Sequence, residues 1–261
     1  MWKTLFMRLV KNPKPGFLTV IFMIPFLVFL AGCTPRCSSE LNTIAIKLNA
    51  QVTSEGDGQT TVSVQLPDDR IFYPPMLLCS GDELVASAYG TASSLPNTSA
   101  SSPTYLMVFD QDDSTEFSIA FNRPATEVSA PNSKVVLPPP IALTSSPGDQ
   151  ELPQAGELQL DWTQAPDDPP TQVIISGQCN RLENSTPVVT YINFSELQNI
   201  GSITIPVSQL VGSNPLQAGD SCNAEVSLSR TQDGTVDPNL QNSSSLVATQ
   251  LRRVGKLTIT P

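Results

Sequence analysis

Beyond residue 40 apolar and polar positions alternate with a period of two. In "EFSIAFN" Phe117, Ile119 and Phe121 fall on one face, and in "ELQLDWTQ" Leu158, Leu160 and Trp162 do the same. In "CNAEVSLSR" Cys222, Ala224, Val226 and Leu228 oppose Asn223, Glu225, Ser227 and Ser229. Such alternation predicts half-buried strands. Further candidates are "NTIAIKLNAQV", "TTVSVQL", "DELVASAYG" and "YLMVFDQ" in the first part, and "IALTSSP", "TQVIISGQC", "GSITIPV", "SLVATQLRR" and "KLTITP" in the second. Turn residues separate these runs, so an all-β chain is expected. Pro138, Pro139 and Pro140 form a stiff, extended connector that cannot join a sheet ladder. The prediction is two tandem β-sandwiches, 41–134 and 141–261, with a Pro-rich linker over 135–140.

The two parts share an order of features. Gly81-Asp82 followed by Ala86 resembles Gly219-Asp220 followed by Ala224, and each pair opens a candidate strand. A hairpin is expected next in each part, closed at Asp112-Asp113-Ser114 in one and at Val254-Gly255 in the other. The order suggests duplication of one sandwich domain.

The N-terminus breaks the alternation. Lys3, Arg8, Lys11 and Lys14 precede Gly16 with no acidic residue among them, and Phe17–Gly32 is almost wholly apolar before Cys33. A run of that length falls short of the roughly 20 residues a helix needs to span a bilayer. With Leu30-Ala31-Gly32-Cys33 at its end, the segment resembles a bacterial lipoprotein signal. That resemblance implies a signal helix over 1–32 that is cleaved, acylation of Cys33 with palmitate or a similar chain, and a short tether over 33–40. Thr34, rather than an aspartate, after the acylated cysteine implies the outer membrane of the cell envelope.

Four cysteines remain, Cys37, Cys79, Cys179 and Cys222, and the chain has no histidine and no CxxC pair. Disulfides are expected in an exported chain, and tetrahedral zinc is not. Val173, Ile175 and Cys179 share one face, as do Cys222 and the apolar row after it. If the two strands are antiparallel neighbours, Cys179 meets Cys222, which leaves Cys37 to Cys79. The stretch from Pro138 to Cys179, with its proline-flanked first strand, its strand ending in Trp162 and its third strand after "APDDPP", resembles bacterial immunoglobulin-like and fibronectin type III-like domains. That implies architecture and not activity.

Charge narrows the partners. Less the four cations before Cys33, ten Lys and Arg stand against 24 acidic residues, a net charge of −14. Nucleic acid and anionic lipid would be repelled, so no nucleic-acid partner is expected. In "DQDDSTE" Asp110, Asp112 and Asp113 are the candidate calcium ligands, but the loop lacks the glycine and distal glutamate of an EF-hand, and an acidic hairpin turn is the plainer reading. "RTQDGTVDPN" around Asp233-Gly234 reads as a turn. Arg252, Arg253 and Lys256 form a basic cluster expected on a solvated hairpin. "ASSLPNTSASSPTY" and "QNSSSL" are polar loops suited to a contact surface.

Without histidine no Ser-His-Asp or Cys-His arrangement exists, and no Gly-rich phosphate loop is present. No enzyme and no cofactor are expected. The reading is a non-enzymatic structural or protein-interaction module, bound to the membrane through its N-terminal lipid and meeting a protein partner in the envelope. A carbohydrate- or substrate-binding accessory protein is the alternative, and a hydrolase with an unrecognised carboxylate pair is a third. Clustered exposed aromatics would favour the second, and two acids in a cleft the third.

Overall fold

The computed structural model describes residues 35–261 apart from 69, 71–74, 80, 99–102, 146–147, 184–185 and 213–214. The expected signal helix and Cys33 lie outside the described residues. Those residues form β-strands with one short helix and two 3-10 turns, and no described helix is long and apolar enough to cross a membrane.

In the first sandwich, strands β1 (Asn49–Ser54) and β2 (Thr60–Gln65) form a hairpin, and β3 (Glu83–Ala88) and β4 (Thr91–Ser94) form another. Strand β5 (Tyr105–Phe109) returns to pair with β2, while β6 (Glu116–Asn122) and β7 (Ala130–Val136) extend the sheet from β3. The alternating rows meet in one core, where Val52, Val62 and Val64 pack with Leu84, Phe117, Ile119 and Phe121.

The second sandwich repeats this order. Strands β8 (Leu143–Ser145), β10 (Glu157–Trp162) and β13 (Ser202–Pro206) make one sheet. The facing sheet runs β12 (Thr186–Gln198), β11 (Thr171–Glu183), β14 (Ser221–Asp233) and β15 (Ser245–Thr260), with β9 (Gln150–Pro153) parallel to β15 at its edge. Helix α1 (Val207–Val211) follows β13. Leaving β9 aside, each sandwich puts its first, second and fifth strands in one sheet and the other four in the second sheet, an immunoglobulin-like arrangement.

Several expectations change. Strand β15 is continuous through Val254-Gly255, where a hairpin turn was expected. A bulge opposite Val226 and Ser227 absorbs Val254, and a Cβ at Gly255 would collide with the Gly148 carbonyl oxygen. The glycine there serves a close backbone approach rather than a turn. The bulge also shifts the inward row of β15 from Leu246 and Ala248, in the first core, to Leu257 and Ile259, in the second. The expected hairpin at 112–114 is likewise absent, because β5 and β6 lie in different sheets.

The boundaries differ from the expected 41–134, 135–140 and 141–261. Strand β15 pairs in parallel with β1 from Asn49↔Ser245 to Ser54↔Gln250, and Leu240 lies in the first core. One sheet therefore runs through both sandwiches. Val135 and Leu137 are also buried in the first core, so the connector contracts to the three prolines. Of the expected tether over 33–40, Cys37 and Ser38 already belong to the first sandwich, because Cys37 bridges Leu77 and Ser38 is fully buried.

Candidate functional site

The described chain starts against the first sandwich and is held there by covalent and ionic bonds. Cys37 and Cys79 are joined by a disulfide with their Cα atoms 5.5 Å apart. The Ser38 amide donates to the Leu77 carbonyl at 2.8 Å, and Ser38 Oγ donates to the Asp82 carboxylate at 2.7 Å. Asp82 also faces Arg123, whose Nε lies 3.2 Å from it, and both side chains are almost completely buried. Arg123 donates further to the Leu41 carbonyl at 2.9 Å, Thr43 Oγ1 at 3.1 Å and the Ser38 carbonyl at 3.4 Å. A buried guanidinium with this many acceptors is stable only while its partners stay in place; removing one partner of such a pair costs about 3–5 kcal/mol. Residues 38–43 are thereby clasped to the sandwich a few positions beyond Cys33.

A second buried arginine holds the joint. Arg230, on β14, meets Asp168 at 3.1 Å and donates to Thr171 Oγ1 at 3.1 Å, Gln164 Oε1 at 3.2 Å and the Thr163 carbonyl. It also donates to the carbonyl of Pro139, in the connector, at 3.3 Å. Burial pulls the Arg230 pKa down while the Asp168 charge opposes that shift. The clamp fixes the proline connector to the shared strand pair β14–β15.

Neither clamp was singled out in the sequence, yet both left a signal there. Arg123 extends the inward row of Phe117, Ile119 and Phe121, and Arg230 extends that of Cys222, Ala224, Val226 and Leu228. A charged residue on inward parity announces a buried partner.

The second disulfide joins Cys179 and Cys222, which are register partners on β11 and β14. It lies within one sheet. Disulfides form and persist in oxidising compartments, so the two bridges mark an exported, non-cytoplasmic chain.

The candidate calcium ligands are not brought together. Asp112 accepts the Gly58 amide at 3.1 Å, Asp110 accepts from Gln59 Nε2 at 3.2 Å, and the Asp113 carbonyl accepts the Tyr89 hydroxyl at 2.7 Å. Among the described residues no three His, Cys, Asp or Glu side chains could hold a metal ion. The loop instead ties β5 to the β1–β2 turn. Asp233-Gly234 begins a segment packed on β7, where Thr235 and Lys134 exchange backbone hydrogen bonds at 2.7 and 2.8 Å.

The basic cluster lies in mid-strand on β15. Arg253 is paired with Glu55 at 3.2 Å and Glu225 at 3.5 Å, all three exposed, and Arg252 donates to the Gly56 carbonyl. Such surface pairs contribute little to stability. A groove of about 330 Å³ carries two acids, Glu116 and Asp233. Both acids are exposed, and Glu116 is bound to Lys134 Nζ at 2.7 Å.

The remaining feature is an open edge. Strand β12 borders its sheet, pairs with β11 along its full length, and turns Val189, Tyr191 and Leu197 outward with exposures of 50%, 82% and 62%.

No protein-family model matches this chain, and no curated protein matches it. Among solved structures, the tandem Ig repeats of Dlar align with 83% of this chain and 98% of their own at 12% identity and a TM-score of 0.30. The fibronectin(III)-like modules of Clostridium thermocellum CbhA align with 81% of this chain and 93% of their own at 10% identity and a TM-score of 0.21.

Proposed function

We propose that this chain is a lipid-anchored protein of the bacterial envelope, a non-enzymatic module whose two joined sandwiches present an interaction surface at a fixed offset from the outer membrane. The observation that carries the reading is the clasp beside the acylation box. Cys37–Cys79 and the buried Arg123–Asp82 pair secure the chain immediately after the segment that would carry the lipid. Three residues separate Cys33 from Cys37. A tether that short couples the lipid closely to the first sandwich, and strand β15 carries that constraint into the second. An anchor with several acyl chains holds firmly, because each buried methylene contributes about 0.8 kcal/mol.

The accessory sugar-binding reading finds less support. A sugar platform needs clustered aromatic faces, and Tyr191 is the one strongly exposed aromatic among the described residues.

The test is Cys33→Ser in the full chain, followed by fatty-acid labelling and membrane fractionation, with crosslinking of the unsubstituted lipoprotein in its own envelope. The proposal expects loss of labelling and release from the membrane, and crosslinks from the unsubstituted protein to an envelope protein. Continued tight membrane association of Cys33→Ser would overturn the anchor.

A further inference from the structure

We infer that the free edge of β12 is a homodimer interface, where β12 of a second copy adds antiparallel about a two-fold axis through Asn193.

The edge has free backbone groups, and their direction follows from the register. Cys179 and Cys222 have Cα atoms 3.9 Å apart, the close spacing of a pair that exchanges no backbone hydrogen bonds. At the next pair of the same kind, Gly177 and Ala224, a Cβ on the glycine would lie 2.5 Å from the Ala224 Cα. Cys179 thus turns its N–H and C=O toward β12, where it meets Thr190. The β11–β12 ladder has no register shift, so the even residues of β12 from 190 to 198 bond to β11. The odd residues Val189, Tyr191, Asn193, Ser195 and Leu197 aim their backbone groups away from β11, and beside Tyr191 and Asn193 lies a pocket of about 390 Å³ bordered by Leu210 and Val211 of α1. The odd residues all carry exposed side chains.

Edges of this kind are usually blunted by brevity, lysine or proline. Strands β8 and β4 are short, β9 and β13 end in proline, and β7 carries Lys134 and is bridged by Thr235. Residues 188–198 of β12 contain no lysine, arginine, proline or glycine.

The sequence of the edge is complementary to itself. With the axis at Asn193, Val189 faces Leu197 of the second copy, and the converse contact repeats it. Tyr191 faces Ser195 and reaches Leu197 diagonally, so each half of the interface gathers Val189 and Tyr191 of one copy with Leu197 of the other. An axis at Tyr191 or Ser195 leaves Val189 and Leu197 apart. Glu196, the one charge in the segment, faces Thr190 and sits about 20 Å along the strand from its own counterpart. The charge pattern therefore permits this register. An isologous contact of this kind closes at two copies, because it uses the β12 edge of both.

The test uses the full chain in its membrane with Asn193→Cys and mild oxidation. A hydrogen-bonded antiparallel pair places the two Cα atoms at about 5.5 Å, within disulfide reach. The expected result is a disulfide-linked species of twice the chain mass from Asn193→Cys. None is expected from Ser195→Cys, whose counterpart lies about 13 Å away along the strand. Tyr191→Lys with Leu197→Lys, added to Asn193→Cys, should abolish the dimer band while the far-ultraviolet β-sheet signal is retained. Absence of the band from Asn193→Cys alone overturns the inference. So does a band from Asn193→Cys that joins a different protein, which would make the edge a docking site for a foreign strand.

Discussion

Arg230 contacts Asp168 across 3.1 Å at the end of the inward row of β14, the station that Arg123 holds against Asp82 at the end of the inward row of β6. Arg230 lies on the sixth strand of its sandwich and Arg123 directly follows the sixth strand of the other, and in both the aspartate lies just before the third. The recurrence marks corresponding positions of one domain plan, and it gives the two clamps different local consequences.

Replacing Arg230 by alanine leaves Asp168 facing a buried void and releases the Pro139 carbonyl. The expected loss is about 3–5 kcal/mol, measured by urea unfolding followed through Trp162, the one tryptophan in the second sandwich. Arg123→Ala should loosen the segment that Arg123 bonds, at Ser38 and Leu41. Faster tryptic cleavage after Arg36 in the folded protein is its readout, and an unchanged cleavage rate would contradict the clasp.

Leu246 tests the shared strand. It is buried in the first core while its own strand continues into the second. Leu246→Ala should cost about 2–5 kcal/mol. Because β15 is common to both sandwiches, the Trp162 transition should shift to lower urea together with that of the whole β-sheet signal. A Trp162 midpoint that stays fixed while the first sandwich weakens would show that the two unfold independently.

The phenol of Tyr105 sets an alkaline limit. Burial raises its pKa above the ordinary 10, partly offset by the Leu78 amide that donates to its oxygen at 2.7 Å. Its folded pKa lies above the unfolded value, so the associated stability is complete below about pH 10 and is lost as pH rises through the folded pKa. Tyr105→Phe should flatten stability against pH in that range. Tyr89 is shifted in the same direction by burial, so part of the slope should remain.

Parity along the strands made the inward rows legible. Phe117, Ile119, Phe121, Leu158, Leu160 and Trp162 all lie in cores, and the Cys179 and Cys222 rows are neighbours in register, because a period of two is written locally. The strand equivalences were not legible. Gly81-Asp82 precedes a third strand, whereas Gly219-Asp220 precedes a sixth; each glycine has a positive φ, 86° and 97°, so the shared dipeptide reports a turn conformation and not the strand that follows. The shared strand was hidden for a similar reason. A glycine required by close approach to Gly148 reads like one required by a turn, and pairing between β15 and β1 joins residues nearly 200 positions apart, which no local pattern records. Strand β12 was not among the expected strands at all, and alternation in any case reveals which face is buried but not whether a neighbour strand is present.

The most direct measurement of the central claim is the mass of the first tryptic peptide of the protein purified from membranes. Cleavage after Arg36 should release Cys33-Thr34-Pro35-Arg36 carrying acyl chains on the cysteine. A peptide from upstream of Cys33 joined to it, or an unmodified Cys33, would contradict the lipid anchor on which the account rests.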